Sequence, residues 1–331
     1  MGLEQAWYKG DRWLKLLRPL SWLFCYLAAR RRQQYRDGSK PSWTASVPII
    51  VVGNISVGGT GKSPLVIWLV DHLRRQGYTP GVISRGYRAS PPSIPYLVTA
   101  EASAAEAGDE PLMIVRRTGV PLVISADRVA AAKFLLAQTS CDLIISDDGL
   151  QHYALNRTIE IAVIDGARGF GNRRCLPEGP LREPVSRLNE VDLIVVNGAS
   201  PKRVLSASHA KKAFQMNLQP NRLVALKSHV HVNPEDWCDS SQINAVAAIG
   251  NPARFARTLE NLGFEPRLRS FADHHHYSAN DFAFAQQLPL IMTEKDAVKC
   301  DHIALDNAWY LQVNAKMDEG FSASLETMLR P

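Results

Sequence analysis

One stretch of the chain has the residue types and spacing of a phosphate-binding loop. It ends in Gly-Lys-Ser, as the pattern G-x-x-x-x-G-K-[ST] requires, but its first position is serine instead of glycine. In such a loop, backbone N–H groups surround phosphate oxygens, the lysine contacts the terminal phosphates and the hydroxyl binds Mg²⁺. A glycine-rich turn without a ligand is the alternative. We predict a nucleotide site formed by Ser56, Val57, Gly58, Gly59, Thr60, Gly61, Lys62 and Ser63.

Two acids follow an apolar run further along the chain. Residues 143–146 are Leu-Ile-Ile-Ser, and Asp147 and Asp148 come directly after them. An acid at the end of a buried strand commonly holds Mg²⁺ beside a phosphate-binding loop, although Asp-Asp-Gly alone is also a turn sequence. Gln151 and His152 follow closely, so we expect them to reach the same phosphate group.

Phosphoryl transfer to an alcohol also needs a group that accepts the hydroxyl proton. Asp109 and Glu110 are candidates at a loop-to-helix junction, where acids also serve as helix caps. Residues 273–277 are Asp-His-His-His-Tyr, which predicts an acid–base or orienting histidine, or else a solvated loop. No second His/Cys cluster has zinc spacing. Four arginines are candidates for phosphate binding: Arg85, Arg88, Arg128 and Arg182.

The elements around these residues predict a largely parallel α/β sheet. An apolar β-branched run at 48–53 precedes the loop, and a helical pattern at 64–73 follows it. Further apolar runs alternate with helical stretches, as in sheets whose parallel strands are joined by helices. The predicted strands are 81–84, 96–99, 121–125, 143–147, 159–165 and 191–197.

The pattern changes after residue 213. Residues 214–218 and 223–226 predict a hairpin that turns at 219–222, and a second α/β unit follows. The chain of 331 residues is long enough for two domains. We predict four parts: an N-terminal segment 1–40, a first lobe 41–213, a hairpin linker 214–232 and a smaller second lobe 233–331.

The N-terminal segment combines apolar, aromatic and basic residues. Its uninterrupted apolar part, 19–29, is much shorter than the roughly 20 residues that cross a bilayer. The arginines at 30–32 follow the apolar run, so a cleaved signal peptide is not expected. Tryptophan and tyrosine rings beside basic residues suit an anionic membrane surface, whereas a helix packed on the protein body is the alternative. We predict peripheral attachment to a membrane.

Composition narrows the function classes. The basic cluster near the N-terminus lacks the aromatic–basic interleaving of nucleic-acid-binding proteins, so we expect no nucleic acid partner. The five cysteines include no C-x-x-C pair, which favours a reducing compartment and buried or incidental thiols without zinc or a disulfide framework. A P-loop NTPase that hydrolyses its nucleotide during delivery of a partner or metal, and a nucleotide-gated membrane adaptor, remain open alternatives to a kinase.

Seven motifs occur in one order along nearly the whole chain: residues 56–64, 84–87, 108–111, 147–152, 179–184, 271–275 and 293–299. In this combination the sequence resembles the tetraacyldisaccharide 4′-kinase family, the lipid A kinases of Gram-negative bacteria. The resemblance implies a P-loop NTPase-like α/β fold of two α/β/α lobes joined by a β-hairpin, with an N-terminal membrane-associating helix.

The resemblance also implies the reaction and its site. ATP with Mg²⁺ would phosphorylate the 4′-hydroxyl of a tetraacylated glucosamine disaccharide 1-phosphate, at the cytoplasmic face of the inner membrane, with no obligate protein partner predicted. Asp109 would be the general base with His274 as its partner, although three adjacent histidines leave that partner open. Lys62 would act on the phosphates, and Ser63, Asp147 and Asp148 would hold Mg²⁺. The residues expected to line the site are Glu110, Arg85, Arg128, Gln151, His152, Arg182 and Glu183.

Overall fold

The structure, a computed structural model, describes residues 3–285 and 287–330. The strands of this part of the chain are β1 Ile49–Gly53, β2 Pro80–Ser84, β3 Tyr96–Val98, β4 Leu122–Ile124, β5 Leu143–Asp147, β6 Ile159–Asp165, β7 Leu193–Asn197, β8 Ala213–Ala225, β9 His231–Val232, β10 Gln242–Ala247, β11 Glu265–Ser270, β12 Leu290–Thr293 and β13 Ala308–Met317. The α-helices are α1 Leu3–Lys9, α2 Arg18–Arg36, α3 Lys62–Arg75, α4 Ala104–Ala107, α5 Asp109–Thr118, α6 Arg128–Gln138, α7 Pro201–Val204, α8 Ala207–Ala210, α9 Pro252–Asn261, α10 Glu294–Ala297 and α11 Glu319–Leu329. Short 3₁₀ helices cover Arg12–Leu17, Val185–Asn189, Pro234–Asp236 and Ala279–Ala285.

One continuous sheet joins these strands in the order β11-β10-β12-β13-β8-β7-β6-β1-β5-β2-β4-β3, and β9 pairs with β8. The pairs are parallel except β3–β4, β8–β9 and β8–β13. The predicted α/β fold with a largely parallel sheet is therefore confirmed. Because β1 and β5 are parallel neighbours, the residues that follow them lie at the same edge of the sheet.

Helices cover both faces of the first part of the sheet. Helices α3, α5 and α11 contribute to one apolar cluster, which includes Leu65, Leu112 and Phe321. The opposite face packs against α6 and against the long loop after β6, with Leu135 and Leu181 fully buried. This burial on two faces explains why the strands read as unbroken β-branched runs instead of alternating patterns.

The predicted hairpin turn at 219–222 is wrong. These residues continue β8 without a reversal, and β8 pairs antiparallel with β13 from Trp309 opposite Ala225 to Met317 opposite Met216. Pro220 lies at an irregularity of this ladder. Proline occurs in strands at such irregularities as well as in turns, which explains why residues 219–222 resembled a turn in the sequence. The connection between the two parts of the sheet is therefore a long ribbon whose strands are far apart in sequence.

Two elements of the second part have no signal in the sequence analysis. Strand β11 is mostly exposed and charged, so it lacks the apolar run of a buried strand. Helix α11 returns to the first part of the sheet, where Phe321 lies 5.5 Å from the ring of Trp68. The predicted boundaries at 40, 213 and 232 stay a prediction. Helix α11 packs in the same apolar cluster as α3, although it follows β13 in sequence.

The N-terminal helices lie against the loop that follows β6. Ser21 Oγ donates to the Cys175 carbonyl at 2.7 Å, and Arg18 pairs with Glu178 at 2.8 Å. Cys25 forms a disulfide with Cys175, so the expectation of unpaired, incidental thiols is wrong for these two. The two cysteines are 150 residues apart in sequence, and only the packing of α2 brings them together. Among the described residues, no helix is long and apolar enough to cross a membrane.

Candidate active site

The phosphate-binding loop connects β1 to α3, as predicted. Gly61 caps α3 with a φ of 95°, and a Cβ on this residue would lie 2.4 Å from Asn197 Nδ2. Asn197 itself donates to the Thr60 carbonyl at 3.0 Å and so holds the loop from behind. A Cβ on Gly59 would meet nothing within 4 Å. The loop therefore has the positive φ and the open inner side that a bound phosphate requires.

The acid pair lies beside this loop. Asp148 Oδ1 is 3.4 Å from Lys62 Nζ, and Arg182 Nη1 donates to both oxygens of Asp148 at 3.1 Å. Burial alone would raise the pKa of Asp148, but the charges of Lys62 and Arg182 outweigh it and hold the pKa well below its usual range. Asp148 is therefore a permanent carboxylate.

Asp147 has different surroundings. It is almost fully buried, Ser84 Oγ donates to its Oδ2 at 3.2 Å, and its Oδ1 has no hydrogen-bond partner. Burial, reinforced by the charge of Glu110, raises the pKa of Asp147 to about 7. A buried carboxylate oxygen without a partner is the kind of group that a divalent cation would compensate.

These residues fit Mg²⁺. Asp147, Asp148 and the buried hydroxyl-bearing Ser63 are oxygen donors, which Mg²⁺ prefers. Within the described ranges, no group of three His, Cys, Asp or Glu side chains could hold a metal ion alone.

The predicted base and its histidine meet across the cavity. Asp109 begins α5, and His274 lies in the loop after β11 with a φ of 61°. His274 Nδ1 is 3.0 Å from Asp109 Oδ2, and the ring of Tyr87 lies 5.0 Å from that of His274. Burial would raise the pKa of Asp109, but the hydrogen bond to His274 and the charges of Lys299 and Lys295 lower it below its usual value.

The neighbouring histidines face elsewhere. His275 stacks on Phe271 at 4.5 Å and lies 3.3 Å from Asp281, while His276 is exposed. Of the three histidines, His274 is therefore the one that contacts Asp109.

A cavity of about 410 Å³ brings most of the predicted residues together. Its wall contains part of the phosphate-binding loop, the acid pair, the predicted base and the histidine, whereas Ser56, Thr60, Gly61 and Ser63 do not line it. The predicted residues that line it are Val57, Gly58, Gly59, Lys62, Arg85, Arg88, Asp109, Glu110, Asp147, Asp148, Arg182 and His274.

Four residues expected to line the site, Arg128, Gln151, His152 and Glu183, do not line this cavity, and their role stays a prediction. Arg128 and Glu183 are each 2% exposed, and their hydrogen bonds hold them behind the wall. Arg128 donates to the Asp147 carbonyl at 3.3 Å, and Gln151 donates to Glu183 at 2.8 Å and to the Asn54 carbonyl at 3.1 Å. Burial lowers the pKa of His152 to about 4.

Two lysines at the site received no role in the sequence analysis. Lys295 contacts Glu110, and Lys299 contacts Asp109 from the far side of the cavity. Both belong to residues 293–299, which contribute to the family resemblance, but a lysine in a charged run is usually solvated. Only the burial of their side chains, which are 14% and 5% exposed, distinguishes them.

The fold and site define a class of protein. A parallel α/β sheet carries a phosphate-binding loop after β1 and an acid pair after β5, which is the arrangement of P-loop nucleotide-binding proteins. A carboxylate–imidazole pair, Asp109 and His274, lines the same cavity opposite the loop.

Comparisons with known proteins identify the family. The family model of tetraacyldisaccharide-1-P 4′-kinase, LpxK, matches residues 13–330. The tetraacyldisaccharide 4′-kinase of Pseudomonas fluorescens (strain SBW25) is 50% identical over 327 residues, with 99% of this chain and 95% of that protein covered. That of Pseudomonas syringae pv. syringae (strain B728a) is 51% identical over 320 residues, with 96% and 94% covered.

A solved structure agrees with this assignment. LpxK from Aquifex aeolicus, crystallised in complex with ATP, has a TM-score of 0.80 and 27% identity, with 96% of this chain and 99% of that chain covered. The chain belongs to the tetraacyldisaccharide 4′-kinase family and is a kinase.

Proposed function

We propose that the protein transfers the γ-phosphoryl group of ATP to the 4′-hydroxyl of a tetraacylated glucosamine disaccharide 1-phosphate, the lipid A precursor, to give lipid IVA and ADP. The observation that carries the proposal is that the Asp109–His274 pair lines the same cavity as Lys62. A phosphate site alone would serve hydrolysis equally well. A positioned proton acceptor facing it favours transfer to an alcohol.

We assign each of these residues one step of the transfer. Asp109 Oδ2 accepts the hydroxyl proton while the substrate oxygen forms its bond to the γ-phosphorus. The bond between that phosphorus and the bridging oxygen breaks, and its electron pair leaves with ADP. His274, whose Nδ1 lies 3.0 Å from Asp109 Oδ2, orients the carboxylate for this proton transfer. Lys62 and the loop N–H groups stabilise charge on the phosphates.

Mg²⁺ belongs to the proposal as a cofactor, held by Ser63, Asp147 and Asp148. When bound, it neutralises charge on the β- and γ-phosphates. Asp147 offers an unpartnered oxygen, whereas Asp148 is already paired with Lys62 and Arg182. Asp147 would therefore offer the carboxylate oxygen that is still free to hold Mg²⁺.

The proposed place of the reaction is the cytoplasmic face of the bacterial inner membrane. One side of α2 faces the loop after β6, and the other exposes large apolar side chains. Leu16 is 81% and Trp22 is 65% exposed. This exposed surface, which we call the α2 apolar face, consists of Trp13 and Leu16 of the preceding 3₁₀ helix together with Leu20, Trp22, Leu23, Tyr26 and Leu27 of α2. An apolar face followed by exposed arginines favours shallow insertion into an anionic membrane surface.

The experiment that tests the function supplies γ-labelled ATP, Mg²⁺ and the disaccharide lipid to the purified chain. Label on the 4′ position of the lipid is the expected result. Release of free phosphate without labelled lipid would instead indicate an NTPase. Nucleotide binding without either product would indicate a nucleotide-gated adaptor.

A further inference from the structure

Two lysines extend from the second lobe to the acids at the start of α5. Lys295 Nζ lies 3.0 Å from Glu110 Oε1 and 3.2 Å from Asp273 Oδ1. Lys299 Nζ lies 4.0 Å from Asp109 Oδ2. The two ammonium groups therefore face the carboxylates of two consecutive residues, one of which is the proposed base.

Lys299 is anchored on the second lobe. Its Nζ lies 2.8 Å from Asp296 Oδ1 and 4.9 Å from the ring centre of Tyr277. Asp296 is fully buried, and its Oδ2 accepts from the Ala248 N–H at 3.0 Å and from the Thr293 hydroxyl at 2.6 Å. A buried ammonium needs charged partners, and here they are one fixed carboxylate and the base.

Lys295 connects the two halves of the catalytic pair. Glu110 is the chain neighbour of Asp109, and Asp273 is the chain neighbour of His274. One ammonium between Glu110 and Asp273 therefore holds the start of α5 beside the loop that carries the histidine. The ion pairs are partly shielded from water, which strengthens them relative to pairs on the surface.

We propose that Lys295 and Lys299 are positioning residues, which keep Asp109 and His274 at hydrogen-bond distance and keep Asp109 ionised for proton transfer. The inference rests on the proposed function, since it has meaning only where Asp109 is the base. In this proposal, Lys295 and Lys299 of the second lobe must supply positive charge to Asp109 and Glu110 of the first. The phosphate-binding loop and the acid pair have no such requirement.

Charged groups face Asp109 from every element around it. The loop after β11 supplies His274 and Asp273, the segment at α10 supplies Lys295 and Lys299, and Lys62 faces the neighbouring Glu110. Arg88, from the loop after β2, donates to the carbonyl of His274 at 3.4 Å. Apart from Asp273 and Glu110 these groups are cations or a histidine, so loss of a lysine raises the pKa of Asp109. The base works only when it is ionised. As the pH is lowered, activity therefore begins to fall at a higher pH in the variant than in the wild type.

The test measures kcat against pH for Lys299→Met, Lys299→Arg, Lys295→Met and Lys295→Arg, with both substrates saturating. We expect each Met variant to lower kcat at pH 7 by about 10- to 100-fold and to move its acid limb upward by about one pH unit. The KM for ATP should stay within about twofold, because the nucleotide groups are untouched. The Arg variants, which keep the charge, should recover the position of the acid limb.

Asp301→Asn is the matched control. Asp301 pairs with Arg116 at 2.6 Å across the same two lobes but lies outside the cavity wall. We expect its pH profile to match the wild type. The same acid-limb shift in Asp301→Asn, or Met variants with an unmoved acid limb, would overturn the proposal and leave the lysines a docking role.

Two further measurements distinguish a variant that fails to fold from one that folds but has lost activity. Thermal unfolding and ATP binding are measured for every variant, and if the buried Lys299→Met does not fold, the more exposed Lys295→Met decides. A wild-type chain that binds ATP but never labels the lipid would instead contradict the proposed function itself, and the inference would fall with it.

Discussion

The phosphate side and the proton-acceptor side of the cavity are constructed differently. The phosphate side comes from two neighbouring parallel strands of one lobe, and Lys62 lies 3.4 Å from Asp148 there. The acceptor side joins Asp109 and His274, which are 165 residues apart in sequence. Its geometry depends on how α5 packs beside the loop after β11, whereas the phosphate side depends on local backbone shape.

The difference has a functional consequence. Substitutions on the acceptor side should abolish phosphoryl transfer but leave ATP binding intact. Substitutions in the phosphate-binding loop should abolish both.

The largest expected effect comes from Asp109→Asn, which removes the base without changing its volume. We expect kcat to fall by about 10²- to 10⁴-fold, the usual contribution of general base catalysis. ATP affinity, measured by equilibrium titration, should change little. Transfer at the wild-type rate would exclude Asp109 as the base and remove the contrast between the two sides.

Gly61→Ala tests the phosphate side. The φ of 95° and the approach of Asn197 Nδ2 make any side chain unfavourable at this position. We expect ATP affinity to fall by more than about tenfold together with stability, since left-handed backbone alone costs about 1–2 kcal/mol per residue. Gly77→Ala is the matched control, with a φ of 91° and no atom within 4 Å of the added Cβ. If both variants weaken ATP binding equally, local loop geometry is not the cause.

A substitution on the α2 apolar face tests whether the acceptor side also depends on delivery of the lipid from a membrane surface. Leu23→Asp should lower turnover of lipid embedded in anionic vesicles by roughly tenfold through weaker membrane binding. Turnover of the same lipid in detergent micelles should stay near the wild-type value. Leu268→Asp, at an exposed leucine on β11, controls for a general effect of surface charge. Equal turnover of vesicle lipid by both variants would remove the membrane role of α2.

The smallest effect is expected at the contact between lobes that lies away from the cavity. Asp301 is 46% exposed in its pair with Arg116, so Asp301→Asn should change the free energy of unfolding by less than about 1 kcal/mol. Chemical denaturation measures this value. A much larger loss would mean that docking of the lobes depends on surface ion pairs more than on the ribbon of β8 and β13.

Much of the phosphate side follows from the sequence alone. A β-branched run, a glycine loop and a helix are consecutive in the chain, so their order already implies their geometry. The acid pair could be placed as well, because parallel strands bring their carboxyl ends to one edge of a sheet. The choice of base was made from the family resemblance, and the structure places Asp109 in contact with His274.

The remaining features were decided by contacts between distant residues. The sequence predicted a turn at 219–222, where the structure has a continuous strand, because pairing with β13 outweighs a local Pro-Asn signal. The Cys25–Cys175 disulfide exists only because α2 packs on the loop after β6. Lys295 and Lys299 look like surface lysines until burial gives each of them carboxylate partners. Local sequence patterns determined the nucleotide-binding loop. The packing of elements far apart in sequence determined which charged groups face it, because charge pairing depends on distance in space and not on distance in sequence.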